Sequence, residues 1–99
     1  MTQLSSSQII EAVHKVLREI EAASGHAWPT LDEHVCPLGG DLEGFDSLLG
    51  VEATVAIEAE LGVALDTDNL FISPLTGKGR SLREAVAHIE SVSQSKAGS

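Results

Sequence analysis

A serine hydroxyl at the start of a helix is the most promising chemical group in this sequence. Asp46-Ser47 precedes a run from Leu48 to Leu61 with no proline, one interior glycine and many good helix formers. Gly62 follows, at the position where a helix end commonly turns left-handed. Asp and Ser both make good N-caps, because their side-chain oxygens accept hydrogen bonds from first-turn N–H groups. Those N–H groups and the positive end of the helix dipole also favour a phosphate. On the residues alone, Ser47 either caps a helix or offers its hydroxyl for modification.

Other chemistries fare worse. A nucleophilic enzyme would need Ser47 or Cys36 beside a base. No Gly-x-Ser-x-Gly elbow surrounds Ser47. His14 and His88 point away from the apolar stripes of their segments, which places them on the surface. No catalytic residue is expected. Asp66-Thr67-Asp68-Asn69 opens like a calcium loop, but Leu70, Phe71 and Gly77 stand where that loop needs ligands and a turn glycine. His26, His34 and Cys36 match no common zinc spacing, so no metal site is expected. Gly77-Lys78-Gly79-Arg80 lacks the phosphate-loop pattern.

Composition narrows the setting. The 99 residues suit one domain, with a core of about residues 7–92 and a polar tail, 93–99, expected to be disordered. Apolar residues make up 42% and aromatics 3%, which favours packed aliphatic helices over a β-sandwich. No run reaches the roughly 20 apolar residues of a membrane span. No basic segment followed by an apolar run opens the chain, so no secretion signal is expected. One cysteine excludes an internal disulfide and fits a reducing, cytoplasmic setting. The net charge is −9, and no Lys or Arg lies between Glu19 and Gly77. An acidic middle repels nucleic acid. It suits a protein steered electrostatically to basic partner surfaces.

The elements that must position Ser47 follow from periodicity. A serine within Ser5–Ser7 should cap the first helix, and Ser5 with Gln8 has capping-box spacing. From Gln8 to Ala23, Ile9, Ile10, Val13, Val16, Leu17 and Ile20 fall within an arc of roughly 120°, one buried stripe. Ser24-Gly25 ends it. His26 to Phe45 has no sustained period, but Trp28, Leu31, Val35, Leu38, Leu42 and Phe45 recur through it. Such a segment is expected to be pinned across a helical core, with a helical turn near Leu31–His34. A short helix is expected over Asp68–Ile72, ended by Ser73-Pro74. Thr76–Arg80 reads as an exposed basic loop. Ser81 with Glu84 is a second capping box, starting a helix whose stripe is Leu82, Ala85, Val86, Ile89 and Val92. The fold class expected is all-α: a small antiparallel bundle of three main helices plus one short helix, with the Ser47 helix central.

That helix is apolar on two sides. On a wheel, Gly50, Ala53, Thr54, Ile57 and Leu61 form one cluster. Leu48, Val51, Val55 and Ala59 form the opposite one, flanked by Glu52 and Glu58. One face must be core. The other is an acid-rimmed apolar stripe of the kind that marks a partner surface. The small residues at the start of the inner face leave room for something to lie against it.

Asp46-Ser47-Leu48, followed by Val51-Glu52 and by Ile57-Glu58-Ala59-Glu60-Leu61-Gly62, resembles the second-helix signature of acyl carrier proteins. The resemblance extends over roughly residues 7–92. It implies that Ser47 is esterified with 4′-phosphopantetheine from coenzyme A, whose thiol holds an acyl or aminoacyl group as a thioester. It also implies a docking face of Asp46, Leu48, Val51, Glu52, Val55 and Glu58, and an acyl-chain shelter at Ala53, Ile57 and Leu61. The implied partners are a phosphopantetheinyl transferase and acyl-loading and acyl-using enzymes of fatty-acid, polyketide or specialised lipid synthesis, with basic docking patches. The chain itself is expected to be a monomer and not an enzyme. The approach Asp41–Asp46 is about one residue longer than the family pattern, and Ser73–Arg80 is longer and more basic. Both point to a specialised carrier, with Lys78 and Arg80 as a partner or phosphate contact. The alternatives are an aminoacyl or peptidyl carrier, and an unmodified interaction module of the same fold.

Overall fold

Two capping boxes written in the sequence set two helix starts. Ser5 Oγ accepts the Gln8 N–H at 3.2 Å, and Gln8 Oε1 accepts the Ser5 N–H at 2.8 Å. Ser81 and Glu84 repeat the exchange at 3.2 and 2.9 Å. Each box satisfies N–H groups that a helix cannot satisfy internally. The computed structural model describes residues 4–73 and 75–97, with side chains as far as residue 93. Among these residues three α-helices form: α1 (Ser6–Ser24), α2 (Ser47–Leu61) and α3 (Leu82–Ala97), with a 3-10 turn at Pro37–Gly39. Gly25 and Gly62 close α1 and α2 in the left-handed conformation, at φ 77° and 70°. The chain has a radius of gyration of 12.8 Å, close to the ~13 Å of a well-packed domain of this length.

The packing order differs from the expectation that α2 is central. It is α1 that packs against both α2 and α3. Its stripe of Ile9, Ala12, Val13, Val16 and Leu17 is buried, sealed by Ala53 and Ile57 of α2 and by Leu82, Ala85 and Ile89 of α3 in one core. Ile10, assigned to the same stripe, is 41% exposed because it sits at the edge of the arc, beside α3. An ion pair from Lys15 to Glu60, at 2.9 Å, ties α1 to the end of α2 on the surface.

The segment between α1 and α2 is pinned as its apolar spacing requires. Trp28, Leu31, Val35, Leu42 and Phe45 are buried, and Leu38 packs against them. Its carbonyls also finish α3: the N–H groups of Leu82 and Arg83 donate to Val35 and Glu33 at 2.8 and 2.9 Å. The helical turn expected near Leu31–His34 is a single turn closed by the Val35 N–H on Asp32.

Two expectations fail. No helix forms over Asp68–Ile72, where the backbone makes bends and a turn and Ile72 forms an isolated antiparallel bridge with Gly79. There Thr54 of α2 accepts the Leu70 N–H and Asn69 donates to the Ser47 carbonyl, which fastens the segment to α2 in an irregular conformation. Pro74, expected to end that turn, lies outside the described residues. The expected tail is also shorter, because α3 runs to Ala97 and buries Ser93, one turn beyond Ile89 on the same face. Residues 98–99 lie outside the described residues. No helix among the described residues is long and apolar enough to cross a membrane.

Candidate functional site

The three aromatic side chains meet beneath the start of α2. Phe45 makes edge-to-face contacts with Trp28 (5.9 Å between centroids) and with Phe71 (5.6 Å). Such pairs add roughly 0.5–1.5 kcal/mol each beyond burial. Trp28 is itself fixed at both ends. Its indole N–H donates to the Glu43 carbonyl at 2.9 Å, and its backbone N–H donates to the Glu21 carboxylate. That donor, joined by Arg18, holds the Glu21 carboxyl below its ordinary value. Gly44 has φ 77°, and a Cβ there would meet the His26 ring at 2.4 Å from Nε2. The backbone therefore turns left-handed directly before Phe45, with His26 packed over the turn. The residues just before Asp46 are anchored, although they belong to a loop.

At the end of this anchor Asp46 is the N-cap. Its carboxylate accepts the Leu49 N–H at 2.9 Å. Ser47 is the first helical residue, exposed, and among the described residues its hydroxyl has no partner. The capping alternative for Ser47 is thereby removed, since Asp46 fills that role. The neighbouring Ser47 and Leu48 N–H groups have no intrahelical acceptor, as at any helix start.

The outer face of α2 is exposed as the wheel requires: Leu48 by 65%, Val51 by 38% and Val55 by 59%. Asp46, Glu52 and Ala59 are exposed beside them. Glu58 is different. It is half-buried, and its carboxylate accepts the Leu65 N–H at 2.8 Å, so it ties the following loop to the helix. A surface groove of about 430 Å³ runs between Val51, Val55 and Glu58 on one side and Ala64, Asp66, Thr67 and Asp68 on the other.

On the inner face, Ala53 and Ile57 are fully buried in the core and Leu61 is half-buried. The room left by the small residues is occupied by this chain. A Cβ on Gly50 would meet the Asn69 amide at 2.5–2.6 Å. Asn69 Nδ2 donates to the Ser47 carbonyl at 3.1 Å, and Asn69 Oδ1 accepts the Phe71 N–H at 3.0 Å. Thr54 donates to the Gly50 carbonyl at 2.7 Å and accepts the Leu70 N–H at 2.8 Å. Leu70 and Phe71 behind them are fully buried. Separating this segment from α2 takes the acceptor from the buried Leu70 N–H, at about 1–3 kcal/mol. A buried methylene returns about 0.8 kcal/mol.

The basic loop is a short hairpin. Ser73 and Arg80 N–H groups donate to Lys78 and Phe71 carbonyls at 2.8 and 2.7 Å. Lys78 is exposed, whereas Arg80 is half-buried and donates to the Leu70 carbonyl at 3.2 Å, so the two cations differ in availability. His88 is not simply a surface residue: its Nε2 lies 3.1 Å from the Leu65 carbonyl. Cys36 packs its sulfur between Gly39 and Gly79, and burial raises the thiol's pKa. No group of three or more potential metal ligands forms among the described residues.

The chain matches no family model, no curated protein and no solved structure.

The sequence places Asp46 and Ser47 at the helix start and Leu48, Val51 and Val55 on one face, as the structure does, but leaves out Asn69 and the double role of Thr54. Thr54 carried a readable signal: a polar residue in the middle of an otherwise apolar cluster needs a partner when buried. Asn69 was hidden by its own good cap chemistry within Asp66–Asn69.

Proposed function

We infer that this chain is a carrier protein of the acyl-carrier type, with a 4′-phosphopantetheine arm on Ser47. The carrying observation is the division of labour at the start of α2: Asp46 caps the helix, and the adjacent Ser47 hydroxyl is exposed and uncommitted. The residues fit the arm's phosphate on the same ground. The oxygen is accessible, and the helix start favours an anion. When bound, the arm supplies a terminal thiol that carries cargo as a thioester.

The chain's own residues present and orient that position. In the attachment, Ser47 Oγ forms the new P–O bond and coenzyme A's pyrophosphate bond breaks. Adenosine bisphosphate leaves, and the serine proton passes to a base of the transferase. The Trp28–Phe45–Phe71 contacts fix the turn before Asp46, so the hydroxyl is held on a rigid element. Leu48, Val51 and Val55 offer apolar contact one to two turns on, and Asp46 and Glu52 steer basic partner surfaces. On this reading the fold is acyl-carrier-like, with bends and a turn over Asp68–Ile72 in place of the short helix expected there.

The test is intact-mass measurement after incubation with coenzyme A and a broad-specificity phosphopantetheinyl transferase. One arm is expected on the wild type and none on Ser47→Ala. A wild type that no transferase modifies, although folded, points instead to the unmodified interaction module.

A further inference from the structure

The carrier reading raises the question of where cargo sits, and the segment Asn69-Leu70-Phe71 bears on it. We propose that this segment latches the inner face of α2 shut, so that cargo on Ser47 is carried outside the fold, in contact with solvent. The inference rests on the carrier reading of Ser47.

Three features make the latch. Asn69 fills the notch left by Gly50 and holds both the Ser47 carbonyl and the Phe71 N–H. Thr54, almost wholly buried, holds the Leu70 N–H. Leu70 and Phe71 are fully buried, and Phe71 stacks edge-to-face on Phe45. A chain entering between α2 and this segment must break both side-chain clamps and displace both core residues. Because Asn69 also grips the Ser47 carbonyl, opening the inner face would disturb the turn that bears the hydroxyl. A latched carrier suits cargo that its partner enzymes reach without first extracting it from the protein: short, polar or aminoacyl groups.

The experiment uses the full chain, armed on Ser47 and loaded with either acetyl or octanoyl groups. Cleavage of the thioester by hydroxylamine is followed by intact mass, and amide hydrogen exchange is read at Leu70 and Phe71. Latched, the two thioesters differ only by their intrinsic reactivity, measured on the free acyl-pantetheines, to within about two-fold, and the two amides exchange alike in both loaded forms. In Asn69→Ala, which deletes one clamp, the Phe71 amide exchanges about three- to ten-fold faster, as expected for loss of one hydrogen bond. An octanoyl thioester protected ten-fold or more in the wild type, with faster Leu70 and Phe71 exchange than in the acetyl form, overturns the latch and leaves the carrier reading standing. Absence of any arm on Ser47 overturns the carrier reading and the cargo inference with it.

Discussion

Val55 and Ile57 lie two residues apart on α2; the first is 59% exposed and the second is sealed in the core. Both faces of the helix are apolar, so hydrophobicity does not separate them. The separation comes from what packs there. The inner face has α1 on one side and the Asn69–Phe71 segment on the other. Beside the outer face, among the described residues, lies the groove rim of Ala64, Asp66, Thr67 and Asp68. An apolar side chain is core when the chain supplies it a partner, and surface for another molecule when it does not.

The comparison breaks most sharply by truncation. Ile57→Ala should destabilise by about 2–5 kcal/mol in urea unfolding, through lost burial and a residual cavity. Val55→Ala should stay within about 0.5 kcal/mol of wild type. Equal losses at the two sites would show that the outer face is covered.

Intermediate effects are expected where the inner face meets Asn69 and Leu70. Gly50→Ala places a methyl against a side chain held at both ends, and should lose about 1–3 kcal/mol. Thr54→Val leaves the buried Leu70 N–H without its acceptor, also at about 1–3 kcal/mol. Unchanged unfolding midpoints in both variants would mean that the segment is not clamped.

Asp46 and Ser47 provide a finer contrast. Asp46→Ala should lose about 0.5–2 kcal/mol as a cap. Ser47→Ala should stay within about 0.5 kcal/mol in stability while abolishing attachment of the arm. A large stability loss in Ser47→Ala would return the hydroxyl to a structural role.

The smallest effect concerns pH and the anchor beneath the site. The Trp28 N–H and Arg18 hold the Glu21 carboxyl below its ordinary value of 4.5. A depressed folded value means that its contribution is full above the ordinary value and is lost as pH falls through the lowered one. Glu84 behaves the same way, through the Ser81 N–H and hydroxyl. Glu21→Gln should therefore flatten the loss of stability as pH falls below about 4.5, read by urea midpoints at each pH. A slope identical to wild type would show that the Trp28 anchor does not depend on that charge.

Much of this protein was legible because the signals are local. Capping boxes at Ser5–Gln8 and Ser81–Glu84 specify helix starts within a few residues. Gly25 and Gly62 specify ends through their backbone freedom. The two-sided wheel of α2 specified which residues share a face, and Asp46-Ser47 marked the start of that helix. Tertiary structure decided the rest. It placed α1 in the centre, since two amphipathic stripes can pair in either order until a third element joins them. It held Asp68–Ile72 against α2 in an irregular conformation, through Thr54 on the Leu70 N–H and Asn69 on the Ser47 carbonyl. It also decided that Asp46, rather than Ser47, caps α2, and that Asn69 fills the space beside Gly50. Periodicity can say that a face is small or apolar. It cannot say what will lie against that face, because the partner comes from elsewhere in the chain.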